Sequence, residues 1–486
     1  MNEQALPTRS RVAVIGGGIS GLSAAFRLHE LAPDAELTLF EARDRLGGIL
    51  HTLRDDGFLI EESADNYLTE PPTVLQLAER LGIRDQLIST EPSQRRAFVV
   101  RQGRLLPVPA GFTLMAPGRL WPILTTPLLS WRGKLRLACE RFIPRRGEQE
   151  AEESLAEFAT RRLGREVFER IVQPLVAGIY SADSRKLSVA ATLPRFIDME
   201  REYGSLTRAA LAKARARRQS SDESGARYGM FVTPRDGASS LIEALASHLP
   251  SGAIRLSTAV ETIEKTEHGW TLSCRDGAQA QPFDAMVLAT PAPVTARLLD
   301  ALDPVASGLL AGIPHASAAI VCLGYRREQL SRPLEGFGFV VPLGERRPIM
   351  AASFSSNKFP GRAPNDQVLI RVFLGGALDP ERIDQSDEQL QGIAREQLEE
   401  LIGVSGEPTL SRTVRWPAAM PQYHLGHREI VAEIERHMAR HEGLEFTNNA
   451  LHGVGVPHCI AAGERAAEAI ASRLGVAQPE ASLKRE

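Results

Sequence analysis

Apolar positions along the chain fall into short unbroken runs at both ends and in the middle, with helical and alternating patterns between them. RVAVI, at residues 11–15, is an unbroken run. After three glycines, Leu22, Ala25, Phe26 and His29 recur at helical spacing, and a second short run, ELTLFEA, follows. Strand, helix and strand in that order predict the start of a parallel sheet. From residue 254 the segments IRLSTAVETIEK and WTLSCRDG read as short strands, and AMVLATP at residues 285–291 as another buried parallel strand ending at a loop. Between these blocks, residues 94–227 are helix-rich, with PLLSWRGKLRLACERF and SLAEFATRRLGREVFERIV carrying helical spacing. A second strand-rich stretch spans residues 318–373, with IVCLGY, GFGFVVP, MAASFSS and LIRVFLGG, and predicts an antiparallel sheet. A helix is expected over residues 387–402, and a final one opening near Ile460 or Ala461.

The chain has 486 residues, 43% of them apolar, enough for two or three domains with a large core. A net charge of -3 gives no reason to expect a nucleic-acid partner. The four cysteines are scattered without a CxxC pair, which argues against a disulfide framework or structural zinc and fits a reducing compartment. The first ten residues lack the apolar core of a secretory signal, and no run of about 18 apolar residues predicts a membrane-spanning helix. LWPILTTPLLSW, residues 120–131, has two readings: a buried or partly exposed segment, or a patch that dips into a membrane surface. Arg215, Arg217 and Arg218, in the run KARARRQSSDESGARYG, read as a solvated helix end plus loop, with contact to anionic lipid as the alternative.

Gly16, Gly18 and Gly21 stand in GxGxxG spacing between the first strand and the first helix, with Gly17 and Ser20 among them. One glycine permits the turn, one lets backbone approach a pyrophosphate, and one lets helix and strand pack closely. The helix N-terminus then faces the anion. Glu41, twenty residues past Gly21, is placed to accept ribose hydroxyls, which points to FAD or NAD rather than NADP. Near the other end, LHGVGVPHCIAAGERAAEAI also reads as a glycine loop running into a helix.

ARDRLGG follows Glu41 at once and resembles the second glycine motif of flavoproteins, with Ala42, Arg43, Arg45, Gly47 and Gly48. With PLVAGIYSADSRKLS, GFGFVVP, FSSNKFPGRAP and MPQYHLGH in this order, the chain resembles the oxygen-dependent porphyrinogen oxidases of haem biosynthesis over almost its whole length. The resemblance implies an α/β fold like that of amine oxidases: a discontinuous FAD-binding domain (residues 1–93, 228–296 and 417–486), a helical membrane-facing domain (94–227) and an antiparallel substrate domain (297–416). It implies noncovalent FAD and a six-electron oxidation of protoporphyrinogen IX or coproporphyrinogen III by hydride transfer to flavin N5. O2 is the implied acceptor, and no nucleophile–base motif is needed because the cofactor carries the redox step. Also implied are a cytoplasmic location, peripheral at the inner face of the membrane, and contact with copies of itself or neighbouring haem-pathway enzymes. The open alternatives are another flavin oxidase of this fold, acting on an amine or a polyene, and a non-catalytic carrier of the same fold.

The resemblance also implies site residues. Asp65, with Asn66 beside it, falls on the segment running along the flavin, the other reading of Asp65 being a helix-capping carboxylate. Arg96, one position before the family's propionate-binding arginine, is carried over to the substrate, although a one-residue shift in a strand reverses the side chain. Phe337, Phe339 and Val341 are expected on one strand face, either as the wall stacking on the macrocycle or as sheet core; Leu175, Gly178 and Ile179 line the same cavity. Val260, Trp416, Gly453, Val454, Gly455 and Val456 complete the cofactor set, with the helix after Gly455 aimed at the ligand held by the first glycine loop. No metal is expected: His424 and His427 lack further ligands, and His437 and His441 read as surface residues. Cys459 reads as a small buried side chain rather than a flavin tether.

Overall fold

The computed structural model describes residues 9–119, 121–147, 151–219, 231–275 and 282–475. Five parallel strands form one sheet in the order Ile254–Arg255, Glu36–Phe40, Arg11–Ile15, Ala285–Leu288 and Leu444–Phe446. The central strand is apolar from Val12 to Ile15 because both its faces are covered there. Val12 and Val14 pack on one side, with the first helix Ile19–Leu31 and the last helix Val456–Arg473. Ala13 and Ile15 pack on the other, with Met286, Leu288 and the helix His427–Met438.

The first and last helices lie against each other at very short range. A side chain at Gly463 would meet the carbonyl of Ser20 at 2.2 Å, so only glycine allows this approach. The last helix starts at Val456, a turn earlier than the sequence pattern indicates, because Pro457 opens it: a proline in the first turn forfeits no hydrogen bond.

The second sheet has seven strands, in the order Leu410–Pro421, His315–Arg326, Gln367–Gly375, Ala351–Phe354, Gly338–Val340, Phe98–Arg101 and Arg104–Pro107. All neighbours are antiparallel except Gly338–Val340 and Phe98–Arg101. The last two strands come from the stretch read as helix-rich; their apolar run is too short and too close to a turn at Gly103 to form a helix. One face of this sheet, with Val321, Leu323, Ile370, Val372, Phe339 and Val341, packs on the helix Asp387–Ile402. That helix is capped reciprocally by Ser386 and Gln389. The other face, with Ile320, Cys322 and Leu369, packs on Phe58 and Ile60 of the hairpin Thr52–Asp55 and Phe58–Glu61.

Helices of residues 121–219 form a third core. The stretch predicted as one helix from residue 154 breaks at Gly164 (φ +91°), then continues through a π-turn at Phe168–Val172 into Gln173–Tyr180. Arg162 and Glu140 are fully buried and paired there; Glu140 also accepts from the Ser205 hydroxyl and the Leu206 and Thr207 amides. Arg217 and Arg218 lie on the helix Leu206–Gln219, but their side chains, and residues 220–230, fall outside the described part. No helix among the described residues is long and apolar enough to cross a membrane.

Candidate cofactor and substrate site

At the C-terminal ends of the parallel strands the glycine loop has the shape its spacing predicts. Gly16 sits at φ +112°, with the Ala289 carbonyl 2.5 Å from where a Cβ would stand. Gly21 is closed against the Gly16 carbonyl. Gly18, ahead of the first helix, has nothing within 4 Å of an added Cβ. The middle of the loop is thus open backbone at a helix N-terminus, the arrangement that takes a pyrophosphate.

Glu41 is buried and shapes this loop directly. Its two carboxylate oxygens accept from the amides of Gly17 (2.7 Å) and Arg43 (2.9 Å), leaving lone pairs for a ribose. The second motif folds back over the first: the Gly47 amide donates to the Gly17 carbonyl at 2.8 Å, and Gly48 lies beside Gly18. Arg43 closes that turn by donating to the Gly48 carbonyl, and Arg45 donates to the Leu46 carbonyl; Ala42 is exposed. The Thr258 amide donates to the Glu41 carbonyl, two residues before Val260.

The C-terminal segment meets this loop from the opposite end of the chain. After Leu444–Phe446 the backbone runs through Thr447 and Asn448, both buried, to Gly453 (φ +135°), Val454, Gly455 and Val456. Four buried polar atoms here and nearby lack any protein partner: Thr447 Oγ1, Asn448 Nδ2, His458 Nδ1 and Ser63 Oγ. Uncompensated buried polar groups are costly, and three of these, Thr447 Oγ1, Asn448 Nδ2 and His458 Nδ1, lie within the one segment 447–458, where a polar ligand would satisfy them. These residues fit a dinucleotide cofactor. Cys459 is buried, and burial pushes its thiol up to about 11, which keeps it protonated.

Asp65 caps no helix, since the next one starts at Thr73 behind Pro72. It is buried at the seam between the hairpin and the second sheet. Lys358 Nζ reaches its oxygens at 3.0 and 3.2 Å, and Arg371 Nη1 reaches Oδ2 at 3.2 Å. Burial alone would raise its pKa, but Lys358 and Arg371 outweigh that and hold it at about 2. Asn66 donates to Oδ1. Arg371 also donates to the Ser63 carbonyl, and the Trp416 indole donates to the Glu62 carbonyl at 2.7 Å. Trp416, Arg371 and Lys358 thereby fix the segment 62–66 against the sheet. The sequence reading missed Lys358 and Arg371; the signal for the second was one arginine inside the buried run LIRVFLGG.

The expected macrocycle wall is corrected by strand parity. Phe339 and Val341 point into the core against the helix Asp387–Ile402, because alternate residues face opposite sides. Phe337 is buried at the strand's start. Val340, the intervening residue, faces the helical block, 3.4 Å from where a Cβ on Gly178 would stand. Leu175, Gly178 and Ile179 are partly or fully exposed along this seam. Arg96 points outward, its side chain 66% exposed and 3.7 Å from Glu335. Arg95 is folded back instead: Nη2 donates to the Thr90 carbonyl, and its buried Nε has no partner.

The histidines also differ from expectation. His437 is buried, and with His441 it is hydrogen-bonded to the carboxylate of Asp303 at 3.1 Å. Asp303 caps the helix Pro304–Ala311, so this cluster ties two helices together. No grouping that could hold a metal occurs among the described residues.

A family model described as flavin containing amine oxidoreductase matches residues 19–471. The chain therefore belongs to that family, and it is a flavin-dependent oxidoreductase. Within the family it belongs with the porphyrinogen oxidases. It is 34% identical to a coproporphyrinogen III oxidase of Propionibacterium freudenreichii subsp. freudenreichii, with 97% of this chain and 92% of that one covered. It is 28% identical to protoporphyrinogen oxidase 2 of Arabidopsis thaliana, over 96% and 94%. A crystal structure described as a protoporphyrinogen oxidase from Exiguobacterium sp. 255-15 superposes with a TM-score of 0.84 at 30% identity, covering 96% of this chain and all of that one.

Proposed function

We propose that this protein oxidises coproporphyrinogen III to coproporphyrin III, a six-electron conversion, with noncovalently held FAD and with O2 as acceptor. The observation that carries the reading is the flavin-type glycine loop, open at Gly18, in a chain 34% identical to a coproporphyrinogen III oxidase over 97% of its length. The identity to a coproporphyrinogen III oxidase favours the tetracarboxylate substrate over protoporphyrinogen IX.

FAD, when bound, supplies the two-electron acceptor that each desaturation needs. Gly16 to Gly21 and Glu41 hold its dinucleotide half, with Val260 against the adenine side, and the 447–456 segment holds the remainder. Asp65, Lys358 and Arg371 keep the floor ionised and rigid. The apolar seam orients the macrocycle and keeps water out. Arg95, with an unpartnered buried nitrogen, is the better placed of the two neighbouring arginines to meet a propionate.

The remaining assignments follow from this reading. The three blocks act as cofactor, substrate and helical domains, with residues 98–107 joining the substrate sheet instead of the helical block. Contact with a membrane is assigned to the helical block. There Trp121, Leu124, Trp131, Leu135 and Phe142 are exposed. Lys134 and Arg141 lie over the rings of Trp131 and Phe142, respectively, and the one acidic residue of 121–147, Glu140, is buried. The protein is placed in the cytoplasm, peripheral to the membrane's inner face.

The test is aerobic incubation of the purified yellow protein with chemically reduced coproporphyrinogen III or protoporphyrinogen IX, following porphyrin fluorescence. Faster turnover of the first is expected. No rate above autoxidation with either would overturn the reading, and the reverse preference would overturn the choice of substrate.

A further inference from the structure

The segment QYHLGH, residues 422–427, touches three parts of the molecule at once. It leaves the second sheet where Pro421 pairs with His315. Toward the helical block, the Gln422 side-chain amide donates to the Tyr180 carbonyl (3.1 Å), and the Tyr423 carbonyl accepts from the Ser188 amide (2.8 Å). The Leu425 amide donates to the Lys186 carbonyl, and the Gly426 amide to Glu152. Toward the C-terminal cofactor loop, the Tyr423 hydroxyl donates to the Asn449 carbonyl at 2.6 Å and accepts from the Gly453 amide at 2.8 Å. His427 stacks on the Tyr423 ring, centroids 4.0 Å apart and 9° from parallel, and its Nε2 lies 3.3 Å from the Leu451 carbonyl.

We infer that Tyr423 is a positioning residue for the cofactor: its hydroxyl holds the 447–455 loop in its ligand-taking shape and links that loop to residues 180–188 of the helical block. The hydroxyl spans the loop, one bond at Asn449 and one at Gly453, on either side of Leu451 held by His427. The atoms this staple leaves without partners, Thr447 Oγ1 and Asn448 Nδ2, lie just before it. Gly453 has φ +135°, a region that its own preference does not fix, so the bond to its amide selects one conformation from several. Burial raises the Tyr423 phenol far above its usual value, so it stays a neutral hydroxyl able to donate and accept together. On the helical side, the Ser181 carbonyl accepts from the Ala377 amide, so residues 180–188 also touch the end of the substrate sheet. Cofactor loading and the geometry of the substrate seam are therefore coupled through one side chain.

The inference rests on the FAD reading above, and the experiment separates the two. The full-length protein is stripped of flavin and titrated with FAD, following flavin fluorescence quenching and the visible spectrum. Tyr423→Phe keeps the ring stack and deletes the hydroxyl. Its dissociation constant for FAD should rise about tenfold or more, as loss of two net hydrogen bonds implies. The melting midpoint of its flavin-free form should fall less than that of Tyr423→Leu, which loses the stack as well. An FAD affinity for Tyr423→Phe equal to wild type would overturn the inference. Should that variant not fold, wild-type amide exchange decides. FAD should slow exchange over residues 180–188 and 422–427 as well as 447–455, and slowing confined to 447–455 would overturn the coupling. A wild-type protein that takes up no FAD would overturn the cofactor reading and this inference with it.

Discussion

Lys358 Nζ stands 3.0 Å from Oδ2 of Asp65, across 293 residues of sequence, and Arg371 reaches the same oxygen from the middle of a strand. Two cations thus share one buried carboxylate. Removing the carboxylate leaves both without their shared anion in low dielectric, which costs more than the pairing itself contributes. Asp65→Asn, close in shape, should therefore destabilise the protein by about 3–5 kcal/mol, measured by urea unfolding of the flavin-free form.

The same pair gives a pH dependence with a definite sign. The folded pKa of Asp65, about 2, lies below its usual 3.8, so the folded state binds the proton less readily. Its contribution, about 2 kcal/mol, is present above pH ~4 and is lost as pH falls toward ~2. Asp303 is also held at about 2, so the total acid loss has more than one source. Subtracting the Asp65→Asn profile from wild type should isolate one carboxylate; parallel profiles over that window would refute the assignment.

The glycine loop predicts two different failures from one kind of change. Gly18→Ala meets no protein atom, so folding should survive, while FAD affinity falls by about tenfold or more because the methyl occupies the ligand's side of the loop. Gly21→Ala collides with the Gly16 carbonyl and should lower the melting midpoint of the flavin-free protein. Calorimetry and flavin titration on both variants check the contrast.

Strand parity puts Val340 and Phe339 of GFGFVVP on opposite faces of the sheet. Val340→Phe should raise KM for the porphyrinogen several-fold with flavin content unchanged. Phe339→Ala should cost about 3–5 kcal/mol of stability through the cavity it leaves. The opposite pattern, with KM responding to Phe339 alone, would put the substrate on the other face.

Two tryptophans test membrane contact. The pair Trp121→Glu and Trp131→Glu should abolish sedimentation with vesicles of phosphatidylglycerol while leaving turnover of soluble porphyrinogen intact. Binding that survives both changes would place the contact elsewhere.

The glycine loop was readable from the chain because its spacing marks one strand–turn–helix unit, in which Gly16 turns at φ +112° and Gly21 closes on the Gly16 carbonyl. The ends of the site were not. Asp65 is visible as a polar residue in a suggestive segment, but its partners arrive from positions 358 and 371, and no local spacing connects them. Alternation showed that Phe339 and Val341 share a face without showing which side that face meets; the packing of helix Asp387–Ile402 decides it. His437 and His441 looked like surface residues because Asp303, which binds both, lies 134 residues from the nearer one.

The contact of Gly463 with Ser20 sets an order of events during synthesis. The first glycine loop leaves the ribosome more than four hundred residues before the helix that completes its pocket. At the usual pace of translation the gap is on the order of half a minute or more. Through that interval the nascent chain carries half a binding site and the uncovered face of helix Ile19–Leu31. On the proposed cofactor reading, flavin capture waits for this helix, and loss of the eighteen residues Val456–Arg473 would leave a long polypeptide with most of the proposed cofactor residues present and nowhere to keep the cofactor.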